Sequence, residues 1–330
     1  MNTPEHDFAR FVRVLGKGKQ GARSLDYEEA YTAFRMILAG AVEPVQLGAF
    51  LMLLRVKEET PAELAGFVAA CRDTFEAPKQ AIQIDLDWSS YAGKRAQQPW
   101  FLLSALLLAS KGLRVCMHGG DGHTPGRLYA EAALSQLGIP AARSMGELTD
   151  QLEADNFAFL PLRLLCPALD NIMQLKPLLG LRSPVNTLTR LLNPLAAKYS
   201  IQSVFHPAYA ELHQGAETLL EQPHSLVFKG EGGEVEIRPH ATSQCLLQRA
   251  GTQQLLEWPR SIDKKPEPEA SLEVAALVSL WRGDATHDYG EKAVVHTTAL
   301  ALLLLEHAAD IEASLALAQS WWNQRNRDRF

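Results

Sequence analysis

The chain has 330 residues, of which 47% are hydrophobic and 21% are charged, and its formal net charge is −6. These values are typical of a soluble globular protein with one large domain or two modest ones. No apolar run approaches the roughly 20 residues of a membrane-spanning helix. Residues 1–10 also lack the apolar segment of a signal peptide. We therefore expect a cytoplasmic protein with no membrane partner.

The four cysteines, Cys71, Cys116, Cys166 and Cys245, are scattered and form no Cys-x-x-Cys pair. Each lies in or beside an apolar segment. This distribution predicts buried free thiols in a reducing compartment.

The net negative charge argues at first against a nucleic-acid partner, but the charges are unevenly distributed. Residues 10–23, 88–127 and 156–200 together hold fifteen Lys or Arg residues and only two acids, Asp121 and Asp170. The rest of the chain holds 17 basic and 36 acidic residues. We expect a bipolar surface if the three basic segments meet in the folded protein.

The first part of the chain carries apolar residues at helical spacing. Pro44 opens one candidate helix. Thr60 caps the next, with Pro61 in its first turn and Glu63 three residues after the cap, which is the pattern of a capping box. The sequence therefore predicts a small α-helical domain over residues 1–76.

From residue 80 onwards the pattern alternates between strands and helices. Strands are predicted at 81–86, 114–118, 157–161, 201–205 and 225–229, with helices at 99–111, 126–137 and 208–220. Short strands at 234–248, a linker at 263–269 and helices at 270–281, 290–307 and 310–325 complete the prediction. The alternation indicates an α/β domain over 77–330 with a mostly parallel central sheet. A helical insertion from about 166–192 is expected to rejoin the helical domain.

Residues 89–96 join the first predicted strand to an apolar helix, and this layout presents backbone N–H groups to an anion. Lys94 and Arg95 are its only charged residues, so the loop suits negative charge. It has no carboxylate of its own for Mg²⁺. The alternative is an ordinary strand–helix turn with a solvated Lys–Arg pair.

Short motifs occur in a fixed order along the chain. They are Met-His-Gly-Gly at 117–120, Leu-Gly-Leu-Arg-Ser at 179–183 followed by Asn186 and Asn193-Pro194, and Val-Phe-Lys-Gly at 227–230 followed by Glu234. Their order and spacing resemble anthranilate phosphoribosyltransferase and its relatives in glycosyltransferase family 3. The helices at 47–55 and 60–67 resemble that family's helical domain. The resemblance implies the nucleoside phosphorylase/phosphoribosyltransferase-like fold, with a small α-helical domain and a larger α/β domain.

The departures from the family fall on its chemistry. In the family, a Gly-rich loop cradles a pyrophosphate and carboxylates hold Mg²⁺. Here Lys94 replaces the acid of that loop, and the phosphate-binding Lys, Asn and Arg fall on Met117, Gly120 and Asp121. The metal-binding Asp-Glu pair falls on Glu234-Val235, and the arginine for the aromatic acid falls near Lys176. The resemblance therefore implies no catalytic residues, no metal and no cofactor. The remnant substrate pocket would contain Gly93, His118, Gly119 and Asn186.

Other motifs of the chain are similar to those of a branch of the family, the YbiB-type proteins, which keep the fold and bind nucleic acid. The similarity lies in Gly16-Lys17-Gly18-Lys19 with Ala22-Arg23, in Ser-Tyr-x-Gly-x-Arg at 90–95, and in Gly180-Leu181-Arg182-Ser183 followed by Arg190. It implies a homodimer formed through the helical domain, with a basic groove across it. The implied nucleic-acid-binding residues are Lys17, Lys19, Arg23, Tyr91, Lys94, Arg95, Lys176, Arg182 and Arg190. Tyr91 is the candidate for base stacking because it lies beside Lys94 and Arg95.

We therefore expect non-enzymatic, largely sequence-independent binding of DNA, with RNA as an open alternative. A phosphoribosyltransferase with an altered substrate, which would need Mg²⁺, is the second hypothesis. A binder of another polyanion or nucleotide is the third. His118 is open to two interpretations, a ligand or base and a hydrogen-bonded structural residue, and the second is favoured. His206-Pro207 is interpreted as a turn.

Overall fold

The structure, a computed structural model, describes residues 4–18, 20–78, 82–122 and 124–330. Its first part is helical. The helices are α1 (Ala9–Gly16), α2 (Tyr27–Leu38), α3 (Pro44–Lys57) and α4 (Pro61–Arg72). At the start of α4, Thr60 Oγ1 accepts the Glu63 N–H at 3.3 Å, and the Glu63 carboxylate accepts the Thr60 N–H at 2.8 Å. The predicted capping box is confirmed.

The second part contains the sheet and the helices that cover it. Its strands are β1 (Leu86–Ser90), β2 (Val115–Gly119), β3 (Phe157–Pro161), β4 (Tyr199–Val204), β5 (His224–Lys229), β6 (Ser243–Arg249) and β7 (Thr252–Trp258). Its helices are α5 (Phe101–Ser110), α6 (Ala130–Gln136), α7 (Met145–Asp155), α8 (Leu162–Leu165), α9 (Pro167–Met173), α10 (Lys176–Leu179), α11 (Val185–Leu188), α12 (Tyr209–Leu219), α13 (Val274–Arg282), α14 (Asp288–Leu304) and α15 (Ile311–Asn323). Short 3-10 turns lie at Thr189–Leu191, Glu231–Gly233 and Arg327–Arg329.

The described strands form one sheet in the order β3-β2-β1-β4-β5-β6-β7. The first five are parallel, whereas β6 and β7 add an antiparallel hairpin at one edge. That hairpin turns at Ala250 and Gly251, which both have positive φ, as a tight two-residue turn requires. The predicted fold class, a helical domain with a larger α/β domain and a mostly parallel sheet, is confirmed. Parallel strands end at a common edge, and that edge is where ligands bind in open α/β sheets.

The first strand differs from its prediction. The sequence pattern placed it at 81–86, whereas the strand is Leu86–Ser90 and residue 81 lies outside the described residues. All five strand residues are buried, including Asp87, Ser89 and Ser90. Because these polar side chains occupy an interior strand, the segment lacks the apolar pattern by which strands are predicted. Residues 89 and 90 therefore belong to the strand, and the following loop is shorter than expected.

Among the described residues, the two largest hydrophobic clusters lie on opposite faces of the sheet. One packs α5, α13 and α14 against the strands. The other joins the N-terminal helices to residues of the predicted insertion, so that Phe67 of α4 and Leu169 of α9 belong to one cluster. Arg72 also donates to the carbonyls of Leu191 and Leu192, both at 2.9 Å. The segment 166–192 therefore packs with the N-terminal helices.

The four cysteines are free and buried, as the sequence predicts. Across the described ranges, no helix is long and apolar enough to cross a bilayer. The same ranges contain no group of three or more His, Cys, Asp or Glu side chains placed to hold a metal ion.

Candidate functional site

The loop after β1 is closed by a carboxylate of the protein itself. Glu234 Oε1 accepts the backbone N–H groups of Ala92 at 2.7 Å and Gly93 at 2.6 Å, and Glu234 Oε2 accepts the Ser90 hydroxyl at 2.8 Å. Glu234 is buried, and burial raises the pKa of its carboxyl group. The N–H groups that a phosphate would use in such a loop are therefore already satisfied from within the chain.

Lys94 does not face solvent. Its side chain is 1% exposed, and its Nζ lies 2.5 Å from Glu236 Oε1. The other oxygen of Glu236 accepts the Phe101 N–H at 2.9 Å, so a buried carboxylate also occupies the N-terminus of α5. Burial raises the pKa of Glu236 to about 7 even though Lys94 opposes the shift. The predicted contact between Lys94 and phosphate is not supported, because this ammonium group is enclosed and paired.

Tyr91 is also enclosed. Its ring is 1% exposed, and its hydroxyl group lies 2.7 Å from Nδ1 of His118. His118 is fully buried, with Nε2 3.3 Å from Asp87 Oδ1. Tyr91 is therefore unavailable for stacking on a base, which corrects the prediction. His118 is a hydrogen-bonded interior residue, in line with the favoured interpretation.

A chain of buried polar side chains continues from Asp87 beneath the sheet edge. The Ser200 hydroxyl donates to Asp87 at 3.1 Å, and the Gln202 amide donates to Ser200 at 3.3 Å and to Glu217. His213 Nδ1 lies 2.8 Å from the Gln202 oxygen. Burial raises the pKa of Glu217 to about 8 and lowers the pKa of His213 to about 3. Both side chains are therefore largely neutral near pH 7, which suits a buried network.

Four cations meet above this network: Arg127, Lys176, Arg182 and Arg190. Lys176 Nζ and Arg182 Nη2 both reach Thr124 Oγ1, at 3.0 and 3.3 Å. Burial lowers the pKa values of Lys176, Arg182 and Arg190, and their repulsion of one another and of Arg127 adds to the effect. This mutual effect indicates a shared positive field.

Arg127 and Arg190 donate to backbone carbonyl oxygens. Arg127 donates to the Ala92 and Gly93 oxygens at 2.9 and 3.0 Å, and Arg190 donates to the Gly233 oxygen at 3.4 Å. Among the residues that the structure describes, none of the four cations has a carboxylate oxygen within 4.0 Å. Buried Glu234 attracts Arg190 from a longer distance. The cluster therefore retains the capacity to bind an anion.

A cleft between the N-terminal helices and the sheet edge opens beside these cations. It encloses about 650 Å³ of empty space, part of it open to solvent. Its lining consists of Arg55, Glu59, Arg182, Ser183, Asn186, Thr187, Arg190, Val204, Phe205, His206, Tyr209 and His213. Arg55 of α3 donates to the Tyr209 hydroxyl of α12 at 3.1 Å, which links the two sides.

The predicted site residues separate into groups. Arg182, Arg190 and Asn186 line the cleft, and Lys176 joins Arg182 at Thr124. Gly119 ends β2 with no room for a side chain, because a Cβ would lie 2.3 Å from the Ser90 oxygen. Gly93 has a φ of +68°, and its N–H is held by Glu234. Both glycines therefore serve the backbone geometry around the sheet edge.

The remaining predicted residues lie outside this cleft lining. Lys17, Arg23 and Arg95 are exposed. Arg23 pairs with Glu29 at 2.6 Å. Lys19 lies outside the described residues. Their contact with nucleic acid stays a prediction.

The three basic segments do not merge completely. Arg114 and Lys198 precede β2 and β4 and so lie at the amino ends of the parallel strands, opposite the cleft. Arg163 is paired with Glu131 at 2.5 Å. The positive surface at the cleft therefore comes from parts of the segments 88–127 and 156–200, not from all fifteen basic residues.

Sequence reasoning missed Arg55, Glu59, Phe205 and Tyr209 as site residues. Phe205 directly follows β4 at its carboxyl end, which is a positional signal that could have identified it. By contrast, Arg55 and Glu59 come from the helical part of the chain. No motif near them indicates that they face the sheet edge.

Two family models match the chain. One, described as the helical bundle domain of a glycosyl transferase family, matches residues 12–75, and the other, described as the a/b domain, matches residues 101–324. The Escherichia coli K12 protein YbiB is 29% identical over 270 residues, which cover 80% of this chain and 83% of YbiB. The anthranilate phosphoribosyltransferase of Methylocella silvestris is 30% identical over 323 residues, covering 92% and 88% of the two chains.

Solved structures show the same fold at lower identity. Anthranilate phosphoribosyltransferase from Thermus thermophilus superposes with a TM-score of 0.77 at 24% identity, covering 94% of each chain. The one from Saccharomyces cerevisiae, in complex with PRPP and Mg, gives a TM-score of 0.79 at 16% identity, covering 99% of this chain and 97% of that one.

Proposed function

Because the chain belongs to glycosyl transferase family 3, whose helical bundle and α/β domains it shares, we propose that it uses this fold to bind nucleic acid without catalysis. The proposed ligand surface is the cleft, which Arg182 and Arg190 line, together with the neighbouring cations Arg127 and Lys176. Binding would be largely independent of base sequence, because charged side chains contact phosphates that every sequence has in common. The resemblance to the YbiB-type branch supports the same proposal.

One observation carries the proposal. Four cations converge without a carboxylate neighbour among the described residues, while the two anion-binding positions of the fold are filled from inside. Glu234 occupies the N–H groups of the loop, and Glu236 occupies the N-terminus of α5. The N–H groups that would bind a small pyrophosphate ligand are thus already occupied. The four cations remain available to the phosphates of a nucleic-acid backbone that lies on the protein surface. Each neutralised phosphate releases counterions, which favours binding at low salt.

The second candidate function is phosphoribosyl transfer on an altered substrate. The fold and the Methylocella silvestris relative favour it. Glu234 and Glu236 would have to leave their present partners to hold Mg²⁺, and Lys94 would lose its counter-ion. Transfer of a phosphorylated group relies on positioned metal and charge, so we expect none. Binding of another polyanion or of a nucleotide is the third candidate.

Two measurements on the purified protein distinguish these functions. We expect fluorescence anisotropy to show binding of labelled single- and double-stranded DNA that weakens between 50 and about 200 mM salt. We expect calorimetry with phosphoribosyl pyrophosphate and Mg²⁺ to show no binding, and no turnover of anthranilate. Micromolar, Mg²⁺-dependent binding of phosphoribosyl pyrophosphate would favour the enzyme. Salt-insensitive or absent binding of every nucleic acid would overturn the proposal.

A further inference from the structure

The cleft has an aromatic wall beside its cations. Phe205 lines the cleft, and its side chain is 48% exposed. The ring of His206 meets it edge-on, with centroids 4.8 Å apart and an interplanar angle of 80°. The Cβ atom of Phe205 packs against Gly233: a Cβ added to Gly233 would lie 3.4 Å from it. The ring is therefore supported on its inner side and open towards the cleft.

Glu59 makes one wall of the cleft unfavourable for a phosphate. Glu59 lines the cleft, is 7% exposed, and its Oε2 has no hydrogen-bond partner in the part of the chain that the structure describes. A buried carboxyl oxygen of this kind repels a phosphate but accepts an N–H group. The terminal torsion of a Glu side chain is soft, so its carboxyl group can turn towards the cavity.

Charged and apolar side chains thus share one cleft. Arg182 and Arg190 line it, Lys176 meets Arg182 at Thr124, and Leu181 beside Arg182 is 52% exposed. Phe205 and Glu59 lie on the walls of the cavity. This combination matches a nucleotide whose phosphate contacts the cations while its base lies on Phe205 in the cleft. Paired bases in a duplex are stacked on each other and cannot enter, whereas bases of a single strand can.

We infer that the cleft is a base-binding subsite for single-stranded nucleic acid, in which one unstacked base lies on Phe205 and points an N–H edge at Glu59. The inference rests on the proposed function, because the strand is first held through its phosphates. It adds a preference for single strands that the cation cluster alone does not create. Base–aromatic stacking is sequence-tolerant, since every base has a π-face.

The test uses three fluorescein-labelled 20-mers at one low salt concentration: oligo-dC, a duplex, and a strand of the same length whose sugars carry no bases. The wild-type protein should bind oligo-dC more tightly than the abasic strand. Phe205→Ala should weaken oligo-dC binding roughly 5- to 20-fold, near the lower end of measured stacking contributions because the ring is only half covered. It should leave duplex and abasic binding unchanged. Glu59→Gln should weaken oligo-dC binding a few-fold in the same selective way.

Two variants serve as controls. Phe205→Tyr keeps the ring and should bind oligo-dC like the wild type. Leu255→Ala removes an apolar side chain that is 59% exposed on the edge strand β7, and it should change nothing. If Phe205→Ala binds all three probes like the wild type while the Lys176→Ala, Arg182→Ala double variant weakens them, the subsite is refuted and the phosphate-binding cleft stands. If the wild type binds none of the probes, the proposed function fails with it.

Discussion

At the scale of single residues, burial decides which charges are available. Lys94 and Arg95 are neighbours in sequence, yet Lys94 is enclosed with Glu236 and Arg95 is exposed. Removing one partner of a buried pair leaves an uncompensated charge in a medium of low polarity, which is strongly destabilising. The role of Lys94 is therefore structural, since it neutralises the carboxylate that occupies the N-terminus of α5.

This role gives a stability prediction. Lys94→Met should lower the free energy of unfolding by about 3–5 kcal/mol, because Glu236 remains buried without its counter-ion. The double variant Lys94→Met, Glu236→Gln should recover most of the loss. Urea unfolding of both variants and of Glu236→Gln completes a double-mutant cycle. A loss below about 1 kcal/mol in the single variant would show that the pair is not formed.

Glu217 predicts a dependence of stability on pH. Burial raises its pKa from 4.5 to about 8. The folded protein therefore keeps a proton that the unfolded chain releases as the pH rises above 4.5, and the free energy of unfolding falls until about pH 8. The slope from this one group is on the order of 1 kcal/mol per pH unit.

Glu217→Gln isolates that contribution. The variant keeps an oxygen that can accept from Gln202 but cannot ionise, so its unfolding free energy should exceed that of the wild type by about 2–4 kcal/mol at pH 8 and match it near pH 4. Urea unfolding from pH 4 to pH 8 provides the measurement. Parallel pH profiles for the two proteins would mean that Glu217 titrates normally.

At the scale of elements, the loop after β1 and the start of α5 have the backbone layout of an anion-binding site. Their N–H groups, however, are bound by the carboxylates of Glu234 and Glu236. The sequence predicted the layout, because a strand, a loop with glycine and an apolar helix follow one another. It did not predict that Glu234 binds the N–H groups of the loop, since Glu234 lies more than a hundred residues away in sequence and only the fold brings it to the loop. Sequence motifs did not identify Arg55 and Glu59 for the same reason, because only the fold brings them to the sheet edge.

Removing the Glu234 carboxylate should restore the affinity of the loop for anions. Glu234→Ala frees the N–H groups of Ala92 and Gly93 beside Arg190, so phosphate at millimolar concentration should raise the melting temperature of the variant. The wild type should show no such shift. Thermal unfolding in phosphate and in chloride at equal ionic strength checks this. Equal shifts in both proteins would place the phosphate elsewhere.

Prediction of the elements succeeded where apolar periodicity is strong. The parallel strands β2 to β5 and the C-terminal helices fall close to their predicted ranges. Helix α7 (Met145–Asp155) was missed, because its large apolar residues are only Met145, Leu148 and Leu152 among many polar ones. Strand β1 was displaced because its polar residues are buried among hydrogen-bonding partners. Fold class thus follows from sequence pattern, whereas burial of polar groups depends on tertiary contacts.

At the scale of the whole molecule, helix α3 leaves apolar residues uncovered. Val45 and Val56 are 78% and 83% exposed, and both lie on the surface of the helical domain. We propose that a second copy of the chain covers this face, which gives the homodimer that the family resemblance implies. A dimer would also double the number of cations offered to one nucleic-acid strand.

Light scattering at micromolar concentration should therefore give twice the chain mass of 36.4 kDa. Val45→Glu with Val56→Glu should reduce the mass to that of a monomer, because a buried unpaired charge is unfavourable in an interface. Leu255→Glu, on the exposed edge strand, serves as the matched control and should remain dimeric. A monomeric wild type would refute the assembly.

The salt dependence of DNA binding tests the central claim most directly. Each phosphate neutralised on a duplex contributes a slope of about −0.9 in log K against log salt. The double variant Lys176→Ala, Arg182→Ala should weaken binding to unrelated sequences alike and flatten the wild-type slope by up to roughly 2 units. Lys264→Ala with Lys265→Ala, both exposed in the linker, should leave affinity and slope unchanged. If the linker pair alters the slope and the cleft pair does not, the cleft is not where this protein binds nucleic acid.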